Sequence, residues 1–518
     1  MGLDPSHLPR QGSPVAELDV VRPRPPLWDT SRAGRPARLP GTARRWAPLL
    51  PAGLTLAVTL WQIQVPSFWR DEAATLSATQ RPFLDMVRLL GHQDAVHGAY
   101  YVLMWAVIRL GGSSELAARL PSALAMAAAA GVVAVLGRRL VSARAGLAAG
   151  LVFAVLPPVS WFGQDARPFA METALACVAS YLFARALQSG RPGRRRWLAG
   201  YMAVLVLLGL ANLFGLLLIA AHAVTLAAWG RHRDRALLRG WLIAVTGAAI
   251  VMFPFGLLDW TERRQIAWLQ VAGMPAPVTL ERLLGSIALA PAIALIAACA
   301  MAVSALGGRA RLRARWPARL LALCLPWLIL PPVILMAVSQ LQPVYTFRYI
   351  VFCIPAGALL AGMALAALSR TAAAAAMLLI VLVGLPAQLP ERGPAGHGDG
   401  LRQLDQILLT QQRPGDVLVY AGDGGLRAFA AAYPYGLARV RDVSLGQAPA
   451  QAGTIGGTNA PLPLIRRRLA GASRVWVPEI LRSEPAGLIP ALRGLPFHLV
   501  RAWGVGDNVW LILYARSG

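Results

Sequence analysis

The residues best suited to chemistry fall in four short stretches. S-F-W-R-D-E-A-A-T-L-S, Ser67 to Ser77, sets Asp71 and Glu72 side by side directly after an apolar run. H-Q-D-A-V-H follows with His92, Asp94 and His97, then Q-D-A-R-P-F with Asp165 and Arg167, and far downstream Y-T-F-R-Y with Arg348 and Tyr349. Carboxylates and arginines of this kind serve proton transfer at a hydroxyl and the holding of an anion such as phosphate. Acids at membrane depth are costly unless they face a cavity or a partner, which favours a site over a solvated helix end for Asp71 and Glu72. Asp165 and Arg167 either pair with each other or meet a ligand. Arg348 either snorkels as an anchor or binds phosphate, and a position on the outer face favours phosphate. His92 and His97 flank Asp94, but no other His or Cys lies near enough in sequence to complete a zinc shell, so His97 is expected to contact substrate and no metal site is expected.

The elements that must carry these residues follow from composition. Of 518 residues 56% are hydrophobic and 14% charged, which is a polytopic membrane protein rather than a soluble domain. The chain has no lysine, so all 50 basic residues are arginine, and both Schiff-base chemistry and a phosphate-loop lysine are excluded. The net charge of +26 comes from short basic clusters between apolar runs, the pattern of cytoplasmic loops and not of a nucleic-acid surface. The four cysteines lie inside apolar runs and are read as small core residues.

Eleven runs suit membrane spans: 47–65, 115–136, 145–162, 169–188, 197–212, 213–229, 240–258, 284–306, 318–338, 349–368 and 372–389, with a tight hairpin near Asn212. Tyr100 to Leu110 is apolar but short. Laid in the interface as an amphipathic helix, it leaves the basic clusters 137–144, 191–196, 231–239 and 308–319 all on the cytoplasmic side. The Pro- and Arg-rich residues 1–46 then form a disordered cytoplasmic tail, and 66–114 is the first outer loop of a membrane domain spanning 47–390. D-W-T-E-R-R-Q-I-A-W at 259–268 is either a cover over the site or an ordinary interfacial helix. Residues 391–518 change character: G-D-V-L-V-Y-A-G (415–422), S-R-V-W-V-P-E (473–479) and F-H-L-V-R-A-W (497–503) predict strands of a small extracytoplasmic α/β domain, and G-D-G-G at 422–425 a turn.

Taken together, W-x-D-E after the first span, D-x-x-H before Y-Y-V-L-M-W, G-x-S-E-x-x-x-R-x-P-S from Gly112 to Ser122, Q-D-A-R-P-F, and F-R-Y ahead of a Pro-containing span resemble the GT-C integral-membrane glycosyltransferases. The resemblance covers about 45–390 and is strongest to bacterial members related to glycosyltransferase family 39, the polyprenyl-phosphate-sugar-dependent mannosyltransferases. It implies a lipid-linked sugar phosphate as donor, transfer with inversion, and Asp71 as the base. Family members often carry two prolines after the loop histidine, where this chain has Gly98 and Ala99, which leaves subgroup and acceptor open.

The chemistry agrees with the residues. Displacement at an anomeric carbon needs one base for the acceptor hydroxyl, and a phosphate leaving group needs positive charge rather than a second carboxylic acid. The expectation is therefore a GT-C-like transferase of the bacterial plasma membrane, N-terminus inside and active site outside. It would move a mannose-like sugar from polyprenyl phosphate to a glycan, lipid or protein acceptor, with no nucleic-acid partner. Asp71 would be catalytic, and Glu72, Asp94, His97, Asp165, Arg167, Arg348 and Tyr349 would bind substrate. A transporter or lipid flippase is the alternative, since intramembrane Asp and Arg also mark transport paths. The absence of two similar halves argues against it.

Overall fold

The computed structural model describes residues 46–262 and 318–517, apart from 343, 422–424, 482, 484 and 486. The expected tail over 1–45, the loop 263–283, the run 284–306, the basic cluster up to 317 and the turn at 422–424 lie outside the described residues. All described residues belong to one compact unit.

In lipid every backbone polar group must be satisfied within the chain, so the apolar runs form helices. In chain order these are α1 (Leu49–Leu60), then α2 (Arg70–Thr79), α3 (Phe83–Leu90) and α4 (Gly98–Gly111) in the first loop, then α5 (Glu115–Leu140), α6 (Ala143–Val155), α7 (Pro157–Gly163), α8 (Phe169–Gln188) and α9 (Arg191–Ala211). After them come α10 (Leu218–Ala228), α11 (Arg235–Glu262), α12 (Ala318–Val338), α13 (Ile354–Ala367) and α14 (Arg370–Gln388).

Against the eleven spans expected, six described helices are long and apolar enough to cross a membrane, or seven if α6 and α7, bent by 63°, count as one. The first expected span is a helix of only 12 residues, α1, followed by Gln62 at φ 56. The bend lies at Leu156, which is extended because Pro157 follows it. The expected hairpin at Asn212 is a break between helices. Asn212 is extended and caps a 3-10 turn over Leu213–Leu217, and α10 then packs against α12 rather than back along α9. Helix α4 has 14 residues, too short to cross a bilayer. Helices approach closely where glycines allow it: a Cβ on Gly146 would lie 2.2 Å from the Ala134 carbonyl, and one on Gly362 2.4 Å from the Ala149 nitrogen. Cys177, Cys324 and Cys353 are buried as expected, whereas Cys299 lies outside the described residues.

Beyond α14, helix α15 (Leu401–Gln411) leads into a five-stranded sheet of β1 (Val417–Leu418), β2 (Arg441–Asp442), β3 (Arg474–Ile480), β4 (Phe497–Gly504) and β5 (Val509–Arg516), in the order β2-β1-β3-β5-β4. β1 pairs in parallel with β2 and β3, while β5 lies antiparallel between β3 and β4. The three strands expected from sequence are present, together with β2 and the interior strand β5.

One face of this sheet packs on its own helices. The other does not stand apart, because Leu404, Phe429, Trp476 and Leu511 share a single core with Phe68, Leu76, Met86 and Tyr101 of the first outer loop. That shared core fixes the sheet against the loop that carries the acidic pair.

Candidate functional site

Helix α2 explains why two acids stand together. Trp69 is extended, so the helix starts at Arg70, and the Trp69 amide donates to Glu72 Oε2 at 3.3 Å. Both acids occupy the first turn, where the helix dipole favours negative charge. Consecutive residues on a helix point about 100° apart, so the two carboxylates take different directions.

Glu72 points inward and is fully buried. Arg119 of α5 donates to it through Nε at 2.8 Å and Nη2 at 2.7 Å, and the Ala166 amide donates at 2.8 Å. Burial alone would raise this carboxyl, but the charge and hydrogen bonds of Arg119 outweigh it and hold the group down to about 2. The remaining Arg119 donors take the carbonyls of Ile63, Pro66 and Ser67. Glu72, expected to bind substrate, does not line this site's cavity, and its oxygens are engaged in holding α2 against the bundle.

Asp71 points the other way, into a cavity of about 830 Å³, and pairs through Oδ2 with Arg348 Nη1. Arg348 also lies over the Trp69 ring. Across the cavity, Asp94 sits at φ 63 and accepts from Tyr101 OH at 2.6 Å. His97 Nδ1 is 3.6 Å from Asp94, and Arg167 Nη2 lies 3.1 Å from His97 Nε2. Because a guanidinium only donates, Nε2 is the acceptor, which puts the His97 proton on Nδ1 facing Asp94. Burial lowers the His97 pKa, keeping the ring neutral, with Arg167 acting in the same direction. Burial opposes ionisation of Asp94, yet contacts with His97, Arg167 and Tyr101 keep its carboxyl well below the usual range.

Arg167 and Tyr349 both line the cavity, Tyr349 stacking on Phe214 at 4.7 Å. Asp165 does not. It is buried, accepts from Trp69 Nε1 at 3.0 Å, and is pushed well above the usual carboxylate range, by burial first and by the charge of Glu72 second. Among the described residues no ion pair joins Asp165 to Arg167, the first of the two alternatives for this pair, and Asp165 lies as an internal support under Trp69. Asp71, Asp94, His97, Arg167, Arg348 and Tyr349 thus meet around one cavity.

Sequence reasoning missed the wall contributed by the C-terminal region. His397, Gly398, Asp399, Asp507 and Asn508 line the cavity, as does Asn212 at the α9 break. Asp399 accepts three hydrogen bonds from Arg70. His397 is buried against Trp161 with its ring Nδ1 3.8 Å from Glu72. A second, aromatic pocket of about 430 Å³ adjoins the first and shares Trp69, Phe169 and Arg348 with it. Among the described residues no cluster of three or more His, Cys, Asp or Glu is placed to hold a metal. The arrangement offers a carboxylate beside an arginine at a polar cavity, with an apolar pocket opening from the same arginine.

A family model described as dolichyl-phosphate-mannose-protein mannosyltransferase matches residues 99–260. ArnT from Cupriavidus metallidurans in the apo state superposes with a TM-score of 0.59 at 15% identity, covering 91% of this chain and 98% of that one. The same protein bound to undecaprenyl phosphate gives 0.58 at 14%, again over 91% and 98%. The Archaeoglobus fulgidus oligosaccharyltransferase in complex with Zn and sulfate gives 0.48 at 12%, over 83% and 67%. No curated protein matches the chain in sequence. The ArnT superposition shows a common fold over almost the whole of both chains, and the resemblance to GT-C membrane glycosyltransferases read from the motifs is borne out.

Proposed function

We propose that this chain is an inverting membrane glycosyltransferase that moves a sugar from a polyprenyl-phosphate carrier to an acceptor hydroxyl. The observation that carries the reading is the Asp71–Arg348 pair at the point where the polar cavity meets the aromatic pocket. A donor of this class has an anionic phosphate between a polar sugar and an apolar chain, and the two joined cavities offer surroundings for each part. The fold shared with a protein whose structure contains undecaprenyl phosphate supports this donor class.

In the proposed reaction the donor phosphate competes with Asp71 for Arg348, which frees the carboxylate and gives the phosphate a cation. Asp71 then takes the acceptor O–H proton as the oxygen attacks the anomeric carbon. The new C–O bond forms as the bond to phosphate oxygen breaks, and the electron pair leaves on polyprenyl phosphate, held by Arg348 and by Arg167. Asp94, His97 and Tyr349 would orient sugar or acceptor. A mannose-like sugar follows from the motif resemblance, and the bacterial plasma membrane with the site on its outer face from the charge pattern.

The test is incubation of purified protein with a panel of polyprenyl-phosphate sugars and mass spectrometry of the released lipid phosphate and product. Transfer is expected, and Asp71→Asn should lower it about 10²–10⁴-fold in protein that stays folded. Full activity of the folded variant overturns the mechanism, and lipid movement without transfer favours the flippase reading. Reporter fusions at positions 112 and 141 should report outside and cytoplasm, respectively; a cytoplasmic signal at 112 overturns the topology.

A further inference from the structure

The C-terminal sheet does more than cover the cavity. We propose that Asp399 is a positioning residue for Asp71, acting through Arg70, and that the turn between β4 and β5 is the brace that holds Asp399 in place. The inference rests on the reading of Asp71 as the base.

Asp399 makes three contacts with one residue. Its Oδ2 accepts from the Arg70 backbone amide at 2.8 Å and from Arg70 Nε at 2.9 Å, while Oδ1 accepts from Nη2 at 2.8 Å. The Arg70 amide is the first N–H of α2, one of the four that a helix leaves without an internal partner. Asp399 therefore caps α2 from 329 residues away and fixes the residue immediately before Asp71. The side-chain contact is two-pronged, so it sets orientation as well as distance.

The brace is equally specific. Asp399 pairs with Gly506 as an isolated antiparallel bridge, the Gly400 amide donates to the Val505 carbonyl at 2.7 Å, and the Asp507 amide donates to the Gly398 carbonyl at 2.7 Å. Gly398 and Gly506 stand at φ +92 and +114, and a Cβ on Gly506 would lie 2.2 Å from the Gly398 carbonyl oxygen, so only glycine fits there. The sheet, its last turn and the Asp399 carboxylate thus form one rigid path to the start of α2.

The same contact governs charge. Arg70 lines the cavity beside Asp71 and Arg348. The hydrogen bonding of the Arg70 side chain to Asp399 is the largest influence raising the Arg70 pKa, ahead of the field of Asp71. Held by Asp399, the Arg70 guanidinium is kept from Asp71. Released, it competes with Arg348 for the base and burdens it with a second cation. Loss of Asp399 is therefore expected to act on turnover more than on donor binding.

A purely structural tie between sheet and bundle gives a different signature, and Arg402 supplies the control. It joins the same two parts through Glu115 at 2.5 Å and the Gln64 and Val65 carbonyls, away from the cavity. Using the full chain and a donor that it turns over, Asp399→Asn is expected to lower kcat about 10- to 100-fold with donor KM within about twofold, the loss that an ångström-scale misplacement brings. Asp399→Glu should recover part of that loss, Arg402→Ala should keep kcat near wild type, and Arg70→Ala combined with Asp399→Asn should be no worse than the weaker single variant.

Wild-type kcat in a folded Asp399→Asn protein overturns the inference. So do losses that multiply in the double variant, or a rise in KM without a fall in kcat, which would make the pair a substrate contact. If Asp399→Asn does not fold, Asp399→Glu, which keeps the charge but moves the carboxylate off the Arg70 amide, reads the same contact, and wild-type kcat in that folded variant overturns the inference equally. Asp71→Asn is assayed alongside. Its inactivity beside a fully active Asp399→Asn sinks only the positioning role, whereas a fully active Asp71→Asn removes both the base and the residue said to position it.

Discussion

Helix α2 is gripped from two sides, and the two grips are unlike. On the bundle side Glu72 and Arg119 form an ion pair with both side chains fully buried. On the sheet side Arg70 and Asp399 form a pair whose arginine side chain is 35% exposed. A buried pair has given up its water and tolerates no loss of a partner, whereas the second pair is buried only at its Asp399 end and solvent screens its arginine. The difference teaches that the inner grip builds the loop and the outer grip sets the aim of the residue between them, Asp71.

The largest expected effect breaks the inner grip. Glu72→Ala leaves Arg119 charged, buried and unpaired, and should cost about 3–5 kcal/mol, seen as a large drop in the melting midpoint of detergent-solubilised protein. A midpoint close to wild type would remove the contrast between the two grips. Next comes the partner of Asp71. Arg348→Ala should lower turnover about 10²–10³-fold through loss of charge stabilisation on the leaving phosphate, with Arg348→Lys intermediate because it keeps charge but not the fork. Because Arg348 is part-exposed, the melting midpoint should move far less than with Glu72→Ala.

Much of this was legible in the sequence, and the limits have physical causes. The acidic pair, the His97 loop, Arg167 and Arg348 could be found because ionised groups beside long apolar runs are anomalous, and all but Glu72 of the pair do meet at one cavity. The unequal fates of Asp71 and Glu72 depend on which way each side of α2 faces, which needed Arg119 to be seen beneath it. Arg119 stood in a quoted motif, but nothing local says that an arginine five residues into a span will reach four carbonyl and carboxylate groups of another segment. Strands β3 and β4 showed as bounded apolar stretches. β5, V-W-L-I-L-Y-A-R, is a largely buried interior strand without alternation, and β2 has only two residues. Asp399 and His397 were invisible for a different reason. They lie in a glycine-rich turn with no motif spacing, and their partners are more than 300 residues away.

A smaller effect concerns pH and samples both sides of the cavity. Burial lowers the pKa of His97, on the first loop, and of His397, on the C-terminal side, below the ordinary 6.5. Below pH 6.5 the unfolded chain binds protons that the folded chain resists, so stability is fully present above that value and declines as pH falls. The raised carboxyl of Asp165 contributes with the opposite sign in this window, so the test is a difference between variants: on going from pH 7.5 to about 5, the melting midpoint of His397→Asn should rise relative to that of wild type. A difference between His397→Asn and wild type that stays constant across that range contradicts the neutral state of the His397 ring. Glu72 adds nothing in this window, since its contribution is lost only as pH falls from the ordinary 4.5 towards about 2.

The smallest expected effect belongs to the other contact between sheet and bundle. Arg402 reaches Glu115, whose second partner is Tyr433 OH at 2.6 Å, and Tyr433 in turn accepts the Phe68 amide at 2.9 Å. With the Arg402 side chain 29% exposed and Tyr433 still bound to Glu115, Arg402→Ala should cost no more than about 1 kcal/mol. The shared apolar core keeps the sheet seated, so the loss is confined to the screened Glu115 pair and the hydrogen bonds to the Gln64 and Val65 carbonyls, and the share of the ion pair should shrink further in high salt. A loss approaching that of Glu72→Ala would mean that the sheet is held to the loop chiefly by charge, and the distinction between a grip that builds and a grip that aims would have to be redrawn around Glu115.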